Sequence, residues 1–275
     1  MKAKEKLERL LSNKLAVVGG IITILLLLLA IFAPVIAADP LAVKPVDRLK
    51  APSVSHIFGT DTFGRDLFSR IIYGARVSML VGFFVVIGSG IIGMAMGLLA
   101  GYFKKIDGIL MRICDSLKAI PSVLLAISLM AIWDKSIKNV ILALIIVNIP
   151  DIARVTRSAV IVVRDQLYIE AMKAAGAKSS RIILHHILPN VLSPVIIQAS
   201  YVFATTIITE AALSFMGVGV PAPKPSWGNI LLEGKTVINK AWWMITFPGI
   251  FTAISVLGLN LFGDGIRDVL DPKTK

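Results

Sequence analysis

Four stretches without one charged residue, 15–38, 77–103, 187–209 and 241–263, constrain this chain more than anything else in it. Each is long enough to cross the roughly 30 Å hydrocarbon core of a bilayer, which takes about 20 apolar residues in a helix. Two weaker stretches, 113–133 and 138–156, carry charges near their ends. The sequence therefore predicts six spans. Hydrocarbon offers no partner to backbone N–H and C=O groups, so each span must be a helix; a barrel would need segments of about ten residues with alternating polarity. An apolar share of 56% is above that of soluble domains.

The expected fold is an all-α integral membrane protein with six transmembrane helices and both termini inside. Residues 1–14 form a cytoplasmic segment, 15–38 the first helix, and 39–76 an outer loop. A five-helix core over 77–266 includes a cytoplasmic loop at 157–189, and 267–275 is a cytoplasmic tail. The first apolar run exceeds a signal-peptide core and leads into Asp39-Pro40, so it reads as an uncleaved span. Cys114 is the single cysteine, which leaves no disulfide framework and no cysteine metal cluster. His185 and His186 diverge by about 100° on a helix and cannot share a metal well. His56 stands isolated in the outer loop.

A net charge of +12 points to a membrane face rather than to nucleic acid. With the N-terminus inside, Lys2, Lys4, Lys6, Arg9, Lys14, Lys104, Lys105, Arg112, Arg154, Arg157, Arg164, Lys173, Lys178, Arg181, Arg267, Lys273 and Lys275 are all cytoplasmic. One segment opposes this orientation. The first outer loop carries Lys44, Arg48, Lys50, Arg65, Arg70 and Arg76, and its part from Arg65 to Arg76 reads as an amphipathic helix in the interface.

Within the spans, Gly93, Gly97 and Gly101 fall on one helix face and invite close approach of a second helix. Pro121 and Pro150 mark candidate kinks. Asp115 and Lys118, three apart, suit a mutual ion pair. Glu210 is expected to face an outer cavity or a partner helix, where it could touch substrate or a docking protein, and Asp264 to order a turn into the tail. Trp227, Trp242 and Trp243 read as headgroup anchors, and the loop 217–241, with Trp227, as a candidate docking surface.

The loop after the fourth span is too charged to cross lipid. A helix over 157–174 would carry Val160, Val163, Leu167, Ala171 and Ala174 as an apolar stripe. Gly176 supplies the left-handed residue that ends helices, Ser179 or Ser180 can cap a second short helix, and Pro189 stops it. This pattern alone fits equally an interfacial helix pair or a handle gripped by a partner.

The series Glu170, Ala171, Gly176, Leu188, Pro189 resembles the Glu-Ala-Ala…Gly…Leu-Pro signature of permease subunits in bacterial ABC importers, with Met172 where a second alanine is common. Phe58 to Asp66, Tyr73 to Arg76, Ala212 to Gly219, Pro225 to Asn229 and Asn260 to Asp268 resemble segments of the second, C-type permease of the dipeptide/oligopeptide/nickel branch. The resemblance implies uptake of dipeptides or oligopeptides by alternating access in a bacterial inner or plasma membrane. It implies a homologous second permease, two ABC ATPases and an extracellular or periplasmic binding protein as partners. Asp165, Glu170, Ala171, Lys173, Ala174, Gly176, Ala177, Leu188 and Pro189 are the implied ATPase-coupling residues. No phosphate-binding Gly-x-x-x-x-Gly-Lys-Ser/Thr occurs, so ATP and Mg are expected on the partner ATPases and no cofactor on this chain. A nickel or glutathione-type cargo stays open. So does a passive channel or scaffold, whereas the residue sets of an intramembrane protease are missing.

Overall fold

A computed structural model describes residues 11–270. Lys2, Lys4, Lys6, Arg9, Lys273 and Lys275 lie outside them, as does most of the two expected terminal segments. The helices are α1 (Lys14–Ile36), α2 (Leu67–Tyr102), α3 (Lys104–Lys118), α4 (Ser122–Ile132), α5 (Ile137–Arg164), α6 (Leu167–Ala174), α7 (Ser179–Phe215), α8 (Trp227–Lys235) and α9 (Trp243–Leu270). Among the described residues α1, α2, α5, α7 and α9 are long and apolar enough to cross a membrane; α3 and α4, bent by 88°, make a sixth span if counted as one.

Short polar side chains start these helices by accepting orphan N–H groups. Asn13 takes Leu15 and Ala16, Asp66 takes Ser69, Ser136 takes Asn139, and Ser226 takes Asn229. The glycine face of α2 sets the largest helix pairing. A Cβ on Gly93 would lie 2.8 Å from the Ile149 carbonyl, on Gly97 2.5 Å from Thr156 Cβ, and on Gly101 2.6 Å from Val160 Cβ. Steps of four on α2 meet rising numbers on α5, so the two helices run in the same direction. The chain must have returned between them, and α3 with α4 is that return.

Antiparallel packing closes the bundle. Gly19 lies against Phe262, Ala16 against Gly265, and Asn13 donates to Asp268, so α1 begins where α9 ends. Arg164 Nη1 donates to the Gly101 carbonyl at 2.6 Å, which puts the ends of α2 and α5 together. At the opposite pole, Trp243 Nε1 donates to the Thr60 carbonyl and Trp227 Nε1 to the Ile71 carbonyl. The described chain thus starts and finishes at the pole where α2 and α5 end.

Five expectations change. Residues 65–76 are no interfacial helix: α2 starts at Leu67, and Leu67, Ile71 and Ile72 are buried. Two cations that made the segment look amphipathic are neutralised inside, Arg65 Nε at 2.6 Å and Arg70 Nη1 at 2.5 Å from Asp61 Oδ2, with Glu233 accepting from both arginines. Trp227 and Trp243 are core residues rather than headgroup anchors, because their indole N–H groups find carbonyls inside the fold; Trp242 stays 54% exposed. His56 is not isolated, since its Nδ1 lies 3.1 Å from the Asp66 carboxylate. In the same loop Lys50 hydrogen-bonds Asp47 and holds that carboxyl below the usual carboxylate range.

The remaining two lie at the other pole. Asp115 and Lys118 do not pair with each other: Asp115 accepts from Arg154 at 2.7 Å and Lys118 donates to Asp151 at 2.6 Å. Arg157 adds two 2.6 Å bonds to Asp107, so three ion pairs clamp α3 onto α5. Asp264 starts no turn, because α9 continues to Leu270 and Asp264 accepts a hydrogen bond from Tyr201.

Candidate coupling site

At the pole where α2 and α5 end, a short helix stands away from the bundle. The expected helix over 157–174 is broken. Its first part, to Arg164, is the end of α5, and Val160 is fully buried there. The break follows from local bonding. Arg164 turns toward Gly101 and toward its neighbour Asp165, 3.0 Å away, and Asp165 leaves helical geometry at φ −89°, ψ 13°. Gln166 then starts α6, its carbonyl accepting from Ile169 and Glu170.

α6 is held by few contacts. Ile169 is fully buried in a small cluster with Leu98, Ile182, Ile187 and Val191, and Met172 packs at its edge. The ammonium of Lys173 lies over the Tyr102 ring, 5.5 Å from its centroid. The expected stripe therefore faces the other way. Leu167 is 83% exposed, and Ala171 and Ala174 are exposed with it. Glu170 is also exposed, and among the described residues its carboxylate has no partner.

Gly176 ends the helix at φ +78°, the left-handed region that costs residues with a Cβ about 1–2 kcal/mol. Gly176 N–H donates to the Lys173 carbonyl and Ala177 N–H to the Met172 carbonyl, each at 3.0 Å. These two bonds, with Ala177 packed near Met172, are the Schellman termination. An added Cβ at Gly176 would meet nothing within 4 Å, so the position points into open space.

The second half differs from expectation. No separate helix ends at Pro189. One helix runs from Ser179 to Phe215, and Leu188 and Pro189 lie within it. Proline fits there because the segment before it, Ile182–Ile187, is π-helical, which displaces the N–H to carbonyl pattern that a proline ring would block. Lys178, not a serine, precedes its first turn, and no side chain caps it.

The remaining candidates lie elsewhere. Gly93, Gly97 and Gly101 form the α2–α5 seam. Glu210 does not face a cavity: it is fully buried, accepting from Ser78 at 2.9 Å and Ser214 at 2.8 Å, because α2 and α7 close around it. Sequence reasoning missed the Asp61–Arg65–Arg70–Glu233 cluster. Its two acids are 172 positions apart (233 − 61), so no local pattern marked it.

A family model described as the binding-protein-dependent transport system inner membrane component matches residues 89–275. A second, the N-terminal TM domain of oligopeptide transport permease C, matches residues 3–52. The dipeptide transport system permease protein DppC of Alkalihalophilus pseudofirmus is 49% identical over 274 residues, covering 99% of this chain and 90% of that protein. The oligopeptide transport system permease protein OppC of Bacillus subtilis is 39% identical, covering 99% and 90%. The di/tripeptide permease DppC of Pseudomonas aeruginosa is 40% identical, covering 99% and 92%. Inward-facing structures of the MetNI methionine ABC transporter share the fold: one superposes with TM-score 0.62 at 19% identity, over 74% of this chain and 97% of that one.

Proposed function

This chain belongs to the family of binding-protein-dependent transport system inner membrane components, and from that premise we propose that it imports dipeptides or oligopeptides and takes its driving force through α6. It is a multi-pass permease subunit of the inner membrane, with a transport rather than a catalytic role. The peptide cargo is supported by the relatives named for dipeptide, di/tripeptide and oligopeptide transport, which match over nearly their whole length.

The pole bearing α6 is cytoplasmic in this reading. Lys104, Lys105, Lys173, Lys178 and Arg181 gather there, in accord with the positive-inside rule. Two of the six cations that argued otherwise are consumed by Asp61 and Glu233. Partner ATPases bind ATP and Mg, a homologous permease completes the pathway, and a binding protein delivers cargo at the opposite pole.

The observation that carries the coupling role is the exposed face of α6. Among the described residues nothing covers Leu167, Ala171 and Ala174, and none supplies a countercharge to the carboxylate of Glu170. Asp165, Lys173, Gly176 and Ala177 shape and flank that face, whereas Leu188 and Pro189 act from behind it. An ATPase closing on α6 would push through Ile169 into the cluster that joins α2, α5 and α7. The test is Leu167→Asp in the assembled complex. Loss of ATPase co-purification and of ATP-driven peptide uptake is expected, and retention of both sinks the coupling assignment.

A further inference from the structure

Two cavities between α1 and α2 share a single residue, Arg76. The first, of about 470 Å³, lies near the end of α1 and is lined by Asp39, Tyr73, Arg76 and Lys224. The second, of about 580 Å³, is apolar and lies between Leu27 and Ile31 on α1 and Leu80, Phe83 and Phe84 on α2. Leu80, Phe83 and Phe84 stand four, seven and eight residues after Arg76, so they form one stripe on α2. Phe203 closes the floor, pressed against Gly82, where an added Cβ would come within 1.9 Å of its ring.

The charges at the mouth are unspent. Arg76 and Lys224 are exposed, and among the described residues neither side chain has a hydrogen-bond or ion-pair partner. Asp39, the one acid in the lining, already accepts from the Leu41 N–H at 2.9 Å. Two cations and one acid leave the mouth at +1, the complement of a single phosphodiester.

The lengths agree as well. From Tyr73 to Phe84 the helix rises roughly 16 Å, close to the roughly 15 Å depth of one leaflet. A polar mouth and an apolar trough of that depth match one lipid molecule. The apolar surface of α2 runs on past the groove through Ile87, Ile91 and Leu99, so what favours lipid over a partner helix is the pair of unpaired cations at its end, which a helix would have to bury without a countercharge.

We propose that this composite groove is a binding site for an anionic glycerophospholipid, with the phosphate held by Arg76 and Lys224 and an acyl chain laid along Leu80, Phe83 and Phe84. Tyr73 sits at headgroup level, where amphipathic rings are favoured. A seated lipid would fill the gap between α1 and α2 that the protein itself leaves open.

The test uses the full chain in its native membrane complex. A benzophenone amino acid placed at Phe83 and irradiated in the membrane is expected to gain the mass of a lipid. A protein-sized adduct means that another subunit covers the groove, and overturns the proposal. In mild detergent with equal phosphatidylglycerol and phosphatidylcholine, native mass spectrometry is expected to show a phosphatidylglycerol preference of about thirtyfold, from about 1 kcal/mol for each of the two cations near an anionic surface. The Arg76→Gln, Lys224→Gln double variant is expected to lose that preference while melting with the unsubstituted chain. Equal retention of both lipids, or a preference that survives the double substitution, overturns the proposal.

Discussion

Replacing Gly97 by alanine should loosen the α2–α5 seam, and Gly90, two turns earlier on the same helix, provides the matched control. A Cβ at Gly97 would lie 2.5 Å from Thr156 Cβ, 2.6 Å from the Ala153 carbonyl oxygen and 2.9 Å from the Arg157 nitrogen. Carbon contacts settle at about 3.5–4.0 Å, so the helices must part by roughly 1 Å. Two of the three obstacles are backbone and the third is a Cβ, so no side chain can swing aside. Overpacking costs about 1–3 kcal/mol, and this site belongs at the upper end. Alanine returns up to about 1 kcal/mol in helix propensity at either position. At Gly90 an added Cβ meets nothing within 4 Å, so the propensity gain stands alone. The variants should thus move in opposite directions, about 3 kcal/mol apart. For a chain of this size each kcal/mol is worth roughly 2–4 °C in melting temperature, giving a spread of about 6–12 °C. The assay is built in: Cys114 is the only cysteine and is fully buried, so a fluorogenic maleimide reports unfolding in detergent. A Gly97→Ala chain that melts at or above Gly90→Ala refutes the packing argument.

Three further outcomes follow from particular contacts. At Gly176, uptake should fall in the order Asn, Ala, Val, because φ +78° is progressively harder for them while the space is open; equal uptake by all three would remove the backbone requirement. Asp61→Asn removes a buried carboxylate that accepts from Arg65 and Arg70 and should cost about 3–5 kcal/mol, read as earlier Cys114 labelling; a shift under about 1 kcal/mol would mean the arginines re-pair elsewhere. Trp227→Phe leaves the Ile71 carbonyl without its indole donor and should cost about 1–3 kcal/mol, whereas the same change at the half-exposed Trp242 should cost little.

Hydropathy located the long spans because hydrocarbon tolerates no charge, and that signal is local. α1, α2, α5, α7 and α9 could be read off uncharged or weakly charged runs, and the glycine face from a spacing of four. What could not be read was where charges find partners. Arg65 and Arg70 looked like surface residues because Glu233 is far along the chain, and Asp115 and Lys118 looked like a pair because their true partners stand on α5. The turn at Gly176 was legible from glycine's tolerance of positive φ. The break at Asp165 was not, because Arg164 leaves its own helix to meet a carbonyl 63 residues away. The stripe on 157–174 misled for the same reason: a break of two residues rotates everything after it.

The elbow between α3 and α4 carries a last implication. α4 has 11 residues, roughly 16 Å of helix, about half the thickness of the oily slab. α3 cannot make up the difference, since it carries six charges from Lys104 to Lys118. The first amides of α4 follow Pro121 and have no side-chain cap, so they emerge at mid-depth still wanting acceptors. Lipid tails offer none. A wet vestibule or a neighbouring subunit has to meet them, and this half-length helix thereby marks where the bilayer ceases to be the surrounding solvent.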